Sequence, residues 1–246
     1  MKLTNLLGLA CTLNLFLIGF NNAEARSGGG GNHSIGGSFI FASPSQDDLD
    51  LLISNANTNA GGISTKPFGQ GNEFVFQYMY RFGSTMFAVL FRPSLFFQSS
   101  LGSSTTGEKY NYDLRGWTFF PNFRIIPLEN SFLKFYVQMG VGYGKLTGKI
   151  RENDSTIEFS GANFGGSMGL GAEFCFFDKD CFNLEGNFRY LPFERNKASA
   201  VSAKGGWASG SLTGPPAGGE EVEMNNRDLG TTLSGVLATI GYTHYF

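Results

Sequence analysis

The stretch Val236-Leu-Ala-Thr-Ile-Gly-Tyr-Thr-His-Tyr-Phe246 decides the fold. Side chains of a strand alternate between two faces, so Val236, Ala238, Ile240, Tyr242, His244 and Phe246 share one face, and Leu237, Thr239, Gly241, Thr243 and Tyr245 the other. The first face is greasy and the second mixed. An apolar outside over a mixed inside suits a strand that meets lipid on one face and a lumen on the other.

Seven earlier segments repeat the alternation. Around Ser34 to Ala42 it sets Ile35, Phe39 and Phe41 against Ser34, Gly36 and Ser38. Glu73 to Phe82 puts Phe74, Phe76, Tyr78, Tyr80 and Phe82 outward, and the third segment does the same with Phe87, Val89, Phe91 and Leu95. The next two strands are expected at Tyr112 to Ile126 and Phe132 to Leu146, the latter with Leu133, Phe135, Val137, Met139, Val141 and Tyr143 outward. Thr156 to Phe176 and Phe182 to Pro192 complete the set. The connections alternate in length. Gly83-Ser84, residues 127–131 and residues 177–180 read as short turns, and residues 43–72, 98–110, 148–154 and 193–228 as long loops. Eight strands with this rhythm predict an all-β, eight-stranded antiparallel up-and-down transmembrane barrel. Both termini and the short turns are then periplasmic, and the long loops lie outside.

A soluble lipocalin-like barrel also has eight alternating strands. Here the face opposite the aromatic one carries Glu73, Arg81, Arg92, Arg124, Lys134, Glu173, Glu185 and Arg189. Turning Arg or Lys toward lipid costs about 2–4 kcal/mol each near the midplane, so these charges are expected in the lumen, paired. A two-residue turn at Gly83-Ser84 would put Ser94 opposite Glu73 and Arg92 diagonally beside it, predicting an Arg92–Glu73 pair. Arg124 and Lys134 then need Glu173 or Glu185. An eight-stranded bore is just filled by side chains, so a plugged barrel is expected, and a gated small pore through these charges is the alternative.

Composition agrees. The chain has 26 Phe and 35 Gly among 246 residues, and only 15% of its residues are charged, which suits a protein with an apolar exterior better than a soluble globule. A net charge of -2 and the absence of a basic aromatic platform argue against a nucleic-acid partner. Met1 to Ala25 has a basic start, an apolar stretch and Ala23-Glu24-Ala25 as a small-x-small cleavage site, and reads as a removed secretory signal. Lipidation at Cys11 is disfavoured by Gly8 where a large aliphatic is wanted. Residues 26–33 follow as a short periplasmic segment, and 34–246 as the barrel.

In an oxidising compartment Cys175 and Cys181 are expected to form a disulfide across a short turn. A C-x5-C metal site lacks nearby third and fourth ligands, and a reduced pair is a further alternative. No cofactor, metal or catalytic residue is expected: the two histidines, His33 and His244, fall near the periplasmic rim without a nucleophile and acid beside them. Two loops carry their own signals. Ser45 to Ala56 reads as a helix, capped by Ser45, with Leu49, Leu52, Ile53 and Ala56 on one stripe. Glu194 to Asp228 is rich in Gly, Ser and Ala and reads as a mobile surface loop, with Trp207 as a possible anchor and Glu220-Glu221 as a possible divalent-cation site.

Residues 34–246 resemble the small eight-stranded outer-membrane barrels, the OmpA-like transmembrane domain with its OmpX and OmpW relatives. The C-terminal strand also resembles the assembly signal of such proteins, with Thr239, Gly241, His244 and Phe246 at its positions; His244 departs from the hydrophobic residue usual there. The resemblance implies a structural or surface-interaction role in a Gram-negative outer membrane, or an OmpW-like conduit for small or hydrophobic solutes. It implies lipid and lipopolysaccharide as surroundings, and the barrel-assembly machinery and periplasmic chaperones as partners during biogenesis. No room is expected for a peptidoglycan-binding domain after the barrel.

Overall fold

The computed structural model describes residues 32–60, 62–83, 85–104, 109–177, 179–203, 206–212 and 217–246. The signal-cleavage positions Ala23 and Ala25 lie outside them, as do Ser84, Asp178 and Pro215-Pro216. Eight strands form the barrel: β1 (His33–Pro44), β2 (Gly71–Arg81), β3 (Phe87–Ser104), β4 (Lys109–Glu129), β5 (Leu133–Glu152), β6 (Ser155–Phe177), β7 (Asp180–Tyr190) and β8 (Gly235–Tyr245). Each pairs antiparallel with its chain neighbours. The seam closes between β1 and β8, where Ser34 meets Tyr245 and Phe39 meets Ile240. Closure leaves no open sheet edge over the height that all eight strands share.

Strand length divides the barrel. β1, β2, β7 and β8 have 11 or 12 residues, while β3 to β6 have 18 to 23. The longer four overshoot on the loop side. Residues 98–104, 109–110 and 148–152 are therefore strand where the sequence predicted loop, and the connection there is a turn at Asn153-Asp154 with Asn153 at φ 54°.

On β4 and β5 the overshoot escapes the sequence reading because polarity inverts along it. On β4 the outward residues Trp117, Phe119 and Phe123 give way to Arg115, Asp113 and Lys109, while the inward residues change from Arg124, Asn122 and Thr118 to Leu114, Tyr112 and Tyr110. β5 changes the same way between Tyr143 and Lys145, with Leu146 and Ile150 inside. β6 changes beyond Phe164, with Phe159 and Ile157 inside. The terminal half thus has an apolar girdle around a polar lumen, and the loop half a polar exterior around an apolar core.

Two loops complete that core. Helix α1 (Asp47–Asn59) buries Leu49, Leu52, Ile53 and Ala56, the stripe expected from sequence. Its N-cap is Gln46 rather than Ser45, whose hydroxyl bonds the Asp47 carboxylate instead. Gln46 ties the helix start to the chain before β8: its Nε2 donates to Thr232 O at 2.7 Å, and Thr232 N donates back to Oε1 at 3.2 Å. Asp48 accepts from Arg227 Nη2 at 2.5 Å and from Gly230 N at 2.8 Å.

The last loop departs from expectation. Glu194 to Asp228, expected to be mobile, contributes Leu212, Val222 and Met224 to the core, where they pack with Phe193, Leu229 and Leu233. Asn196 is fully buried, and its Nδ2 donates to Phe193 O, Leu229 O and Thr231 Oγ1. Lys197–Ser202 adds a strand to the outer part of β6. The Gly and Ser content concealed a sparse apolar set whose spacing fits neither period two nor 3.6. Trp207 packs half-buried against this core, while Glu220 accepts from Ala217 N and Glu221 approaches Arg195.

Glu152, at the tip of β5, accepts from Tyr112 OH at 3.0 Å and from Ser209 N at 2.9 Å. Burial pushes its carboxyl above the ordinary glutamate value of 4.5, against the lowering effect of those donors. A raised acid favours folding when protonated, so this contribution to cap stability is full below pH 4.5 and is lost as pH rises through the folded value. Protease susceptibility of residues 193–234 should rise across that window, and Glu152→Gln should flatten the dependence. Truncating Leu52 to Ala should weaken the cap by about 2–5 kcal/mol. Limited proteolysis should then cut within residues 45–70, while heat-modifiable gel migration still reports an intact barrel.

Candidate functional site

The terminal half of the lumen is the most concentrated chemistry in the fold. Inward parity on β2 to β7 brings ionised side chains into a bore too narrow to hydrate each separately, so geometry must pair them. Arg124, 1% exposed, is the hub. Its Nη1 donates to Glu173 Oε1 at 2.7 Å, and its Nη2 to Glu185 Oε1 at 3.2 Å and Gln138 Oε1 at 3.0 Å. The guanidinium also lies 3.6 Å from the centroid of the Tyr136 ring. Gly171 makes that packing possible, since a Cβ there would come within 2.5 Å of the Tyr136 ring.

Glu185 gathers four hydrogen-bond donors and a second cation. Besides Arg124 it accepts from Tyr136 OH at 2.8 Å, Gln138 Nε2 at 3.2 Å and Asn187 Nδ2 at 3.1 Å, and it forms an ion pair with Arg92 Nη1 at 2.8 Å. Tyr245 OH donates to Glu173. Toward the core, Arg189 Nη1 reaches both oxygens of Glu73 at 3.0 and 2.9 Å, and its Nε donates to Leu233 O at 2.8 Å. Toward the termini, Glu129 pairs with Arg81 at 2.7 Å and Lys134 at 3.6 Å, while the Lys134 ammonium sits 3.6 Å from the Tyr245 ring centroid.

The eight charges singled out in the sequence thus all find lumen partners, in a hub around Arg124 and Glu185, a separate Arg189–Glu73 pair and the Glu129 pairs, but two partnerships differ from expectation. Arg92 meets Glu185, not Glu73, whose carboxylate goes to Arg189. The cause is the first hairpin. Phe82 N donates to Phe87 O and Arg81 pairs with Ala88, so the turn spans residues 83–86 instead of Gly83-Ser84 alone. Register moves by two, Ser94 faces Val75, and every side chain keeps its face but changes its neighbour. The second turn also shifts: β4 continues to Glu129 through an irregularity between Ile125 and Leu128. Glu129 was therefore missed, having been read as a turn residue. Tyr136 and Tyr245 fell on the inward parity, but their hydroxyl partners depend on cross-barrel reach that parity does not contain.

A cavity of about 40 Å³ lies between Arg92 and Arg189, bordered by Ser94, Thr118, Asn122 and Asn187. Nη2 of each arginine has no partner among the described residues. Among those residues, no group of three or more His, Cys, Asp or Glu is arranged to hold a metal ion. Cys175 and Cys181 face each other across β6 and β7 and form a disulfide, which consumes both sulfurs of the C-x5-C spacing.

Both histidines lie at the terminal rim. His33 Nδ1 is 2.7 Å from Tyr78 OH, and its ring stacks on Phe246 at 6.0 Å. His244 Nδ1 is 2.7 Å from Asp180 Oδ1, which also accepts from Tyr242 OH. Of the other C-terminal positions, Thr239 points inward and Phe246 N donates to His33 O at 3.0 Å. Gly241 leaves space that Asn183 and Ser38 occupy, since a Cβ there would come within 2.2 Å of both.

No family model and no curated protein matches the chain. Among solved structures, the outer membrane protein OprG from Pseudomonas aeruginosa aligns with TM-score 0.55 and 14% identity, over 90% of this chain and 99% of that one. Ail, the attachment invasion locus protein of Yersinia pestis, aligns with TM-score 0.37 and 14% identity, over 88% of this chain and 99% of that one. The chain has the fold of the small eight-stranded outer-membrane barrels.

Removing the hub should expose the cost of an unpaired buried carboxylate. Arg124→Met is expected to destabilise the refolded barrel by about 3–5 kcal/mol, read from urea unfolding in micelles. Adding Glu173→Gln to that variant should recover much of the loss, because Glu185 keeps its ion pair with Arg92.

Proposed function

We propose that this protein is an integral outer-membrane barrel that does not conduct and whose role lies in its folded loop end, as a structural or surface-interaction protein. Residues 1–25 are a removed secretory signal, both termini face the periplasm, and the cap of α1 and residues 193–234 faces outward. The C-terminal strand, through Thr239, Gly241, His244 and Phe246, is what the barrel-assembly machinery reads. Lipid and lipopolysaccharide are the surroundings of the girdle.

One observation carries this reading: the lumen is closed twice, by different physics. In the terminal half Arg92, Arg124 and Arg189 are neutralised by Glu73, Glu173 and Glu185 across the bore. In the loop half, residues such as Phe96, Tyr112, Leu146 and Phe159 pack against Leu49, Leu52 and Leu229. A solute would have to break paired charges and then cross an apolar core. The girdle supports the membrane location, because Val141 at 73% and Phe164 at 75% exposure belong to a belt that water would penalise. A catalytic role finds no support at His33 or His244, whose partners are aromatic rings and Asp180.

A narrow conduit is the competing reading, favoured by the small polar cavity between Arg92 and Arg189. Planar-bilayer recording on refolded protein, with barrel formation confirmed by heat-modifiable migration, separates the two. No current steps are expected. Reproducible steps that change on Arg92→Ala would overturn the plugged reading and make the lumen the functional path.

A further inference from the structure

The outward face of β4 and β5 just beyond the girdle is basic in a way the barrel itself does not require. Trp117 and Tyr143 are the last outward aromatic residues on these strands, 5.6 Å apart between ring centroids, and Tyr143 continues to Phe164 at 5.1 Å. The next outward residues are Arg115 on β4 and Lys145 on β5. Lys145 stands level with Trp117, and Arg115 pairs with Thr147, so the two cations are diagonal neighbours, about 7–8 Å apart at their backbones. Both are exposed, and neither has an ion-pair partner among the described residues.

The same face continues upward with Lys149, Arg151 and Lys109. Its acids are few: Glu158 is paired with Lys149 at 2.7 Å, and the half-buried Asp113 accepts from Asn111. This concentration occurs in a chain whose net charge is -2. The cap is net acidic, since Asp47, Asp48, Asp50, Glu194, Glu220, Glu221, Glu223 and Asp228 outnumber Lys66, Arg195, Lys197, Lys204 and Arg227. Positive charge is therefore gathered on one flank, at the height where the apolar surface ends.

We propose that this flank, centred on Arg115 and Lys145, is a binding site for the phosphate groups of a lipid headgroup in the leaflet on the loop side. The inference rests on the membrane reading above and adds a site to it. Chemistry and height agree. Two residues advance about 7 Å along a strand and about 5 Å along the membrane normal at a tilt of about 40°, which carries the first polar row from the edge of the hydrocarbon into the headgroup layer. An Arg fork suits a phosphate, with the Lys ammonium as a second point charge. The Trp117–Tyr143–Phe164 shelf sits below, where an interfacial aromatic belt meets the acyl chains.

The test uses the full mature chain refolded in zwitterionic micelles, where neither leaflet orientation nor membrane insertion affects the outcome. Heat-modifiable migration first confirms the barrel, so a failed fold is seen separately from failed binding. Bisphosphorylated lipid A and its fully dephosphorylated counterpart are then titrated in, and retention is read by native mass spectrometry. The phosphorylated lipid should bind at least about tenfold more tightly, and Arg115→Gln with Lys145→Gln should remove about tenfold of that affinity. Lys66→Gln, on the cap, should change nothing. Equal retention of both lipids, an unaffected double variant, or displacement by inorganic phosphate at concentrations equal to the lipid would each overturn the proposal.

Discussion

A carboxylate inside a barrel is tolerable only when cations and donors surround it, and Glu185 is the place where that constraint binds the molecule together. Arg92 from β3, Arg124 from β4, Tyr136 and Gln138 from β5 and Asn187 from its own strand all converge on it. The network therefore crosses the bore instead of following the wall. Removing a strand, or shifting one by a single residue, would leave charge unpaired at several positions at once. The turns set the register, and the pairing of the lumen charges depends on it.

The second organising fact is that β4, β5 and β6 each serve two solvents. Below Trp117 and Tyr143, side chains on the outside are apolar and those inside are polar. Above that level the assignment reverses without any break in the ladder, since Trp117 still pairs with Lys145 and Leu114 with Gly148. The loop half is built like a water-soluble barrel and has the apolar core that such a barrel needs, but its wall is only partly made of strands. α1 and the last loop supply the remainder, which is why those loops are ordered by burial and by contacts such as Asp48 with Arg227 and Gly230.

Much of this was legible in the chain. Eight strands, their faces, the disulfide and the α1 stripe follow from period two, a short turn and period 3.6. Partner choice was harder to read. A two-residue shift in the first hairpin keeps all parities and still moves Glu73 from Arg92 to Arg189, because parity fixes the face and turn length fixes the neighbour. The extensions of β4 to Lys109 and of β5 to Glu152 were hidden because the sequence was searched for apolar residues outside, and Tyr110 and Ile150 are apolar residues inside. In the last loop, Leu212, Val222, Met224 and Leu229 are too far apart to form a periodic signal, yet they meet in space. Asn196, the residue that ties that loop together, carries no local mark of burial.

The central claim is that the environment of one continuous strand changes between Tyr143 and Lys145. Nitroxide labels placed singly at Met139, Val141, Lys145, Thr147 and Lys149 of the disulfide-bonded protein in lipid vesicles would measure it directly, through relaxation by dissolved oxygen against a water-soluble nickel chelate. The account predicts oxygen dominance at Met139 and Val141 and chelate dominance from Lys145 onward, with the crossover between them. A gradual trend with no crossover, or chelate access at Val141 equal to that at Thr147, would contradict it.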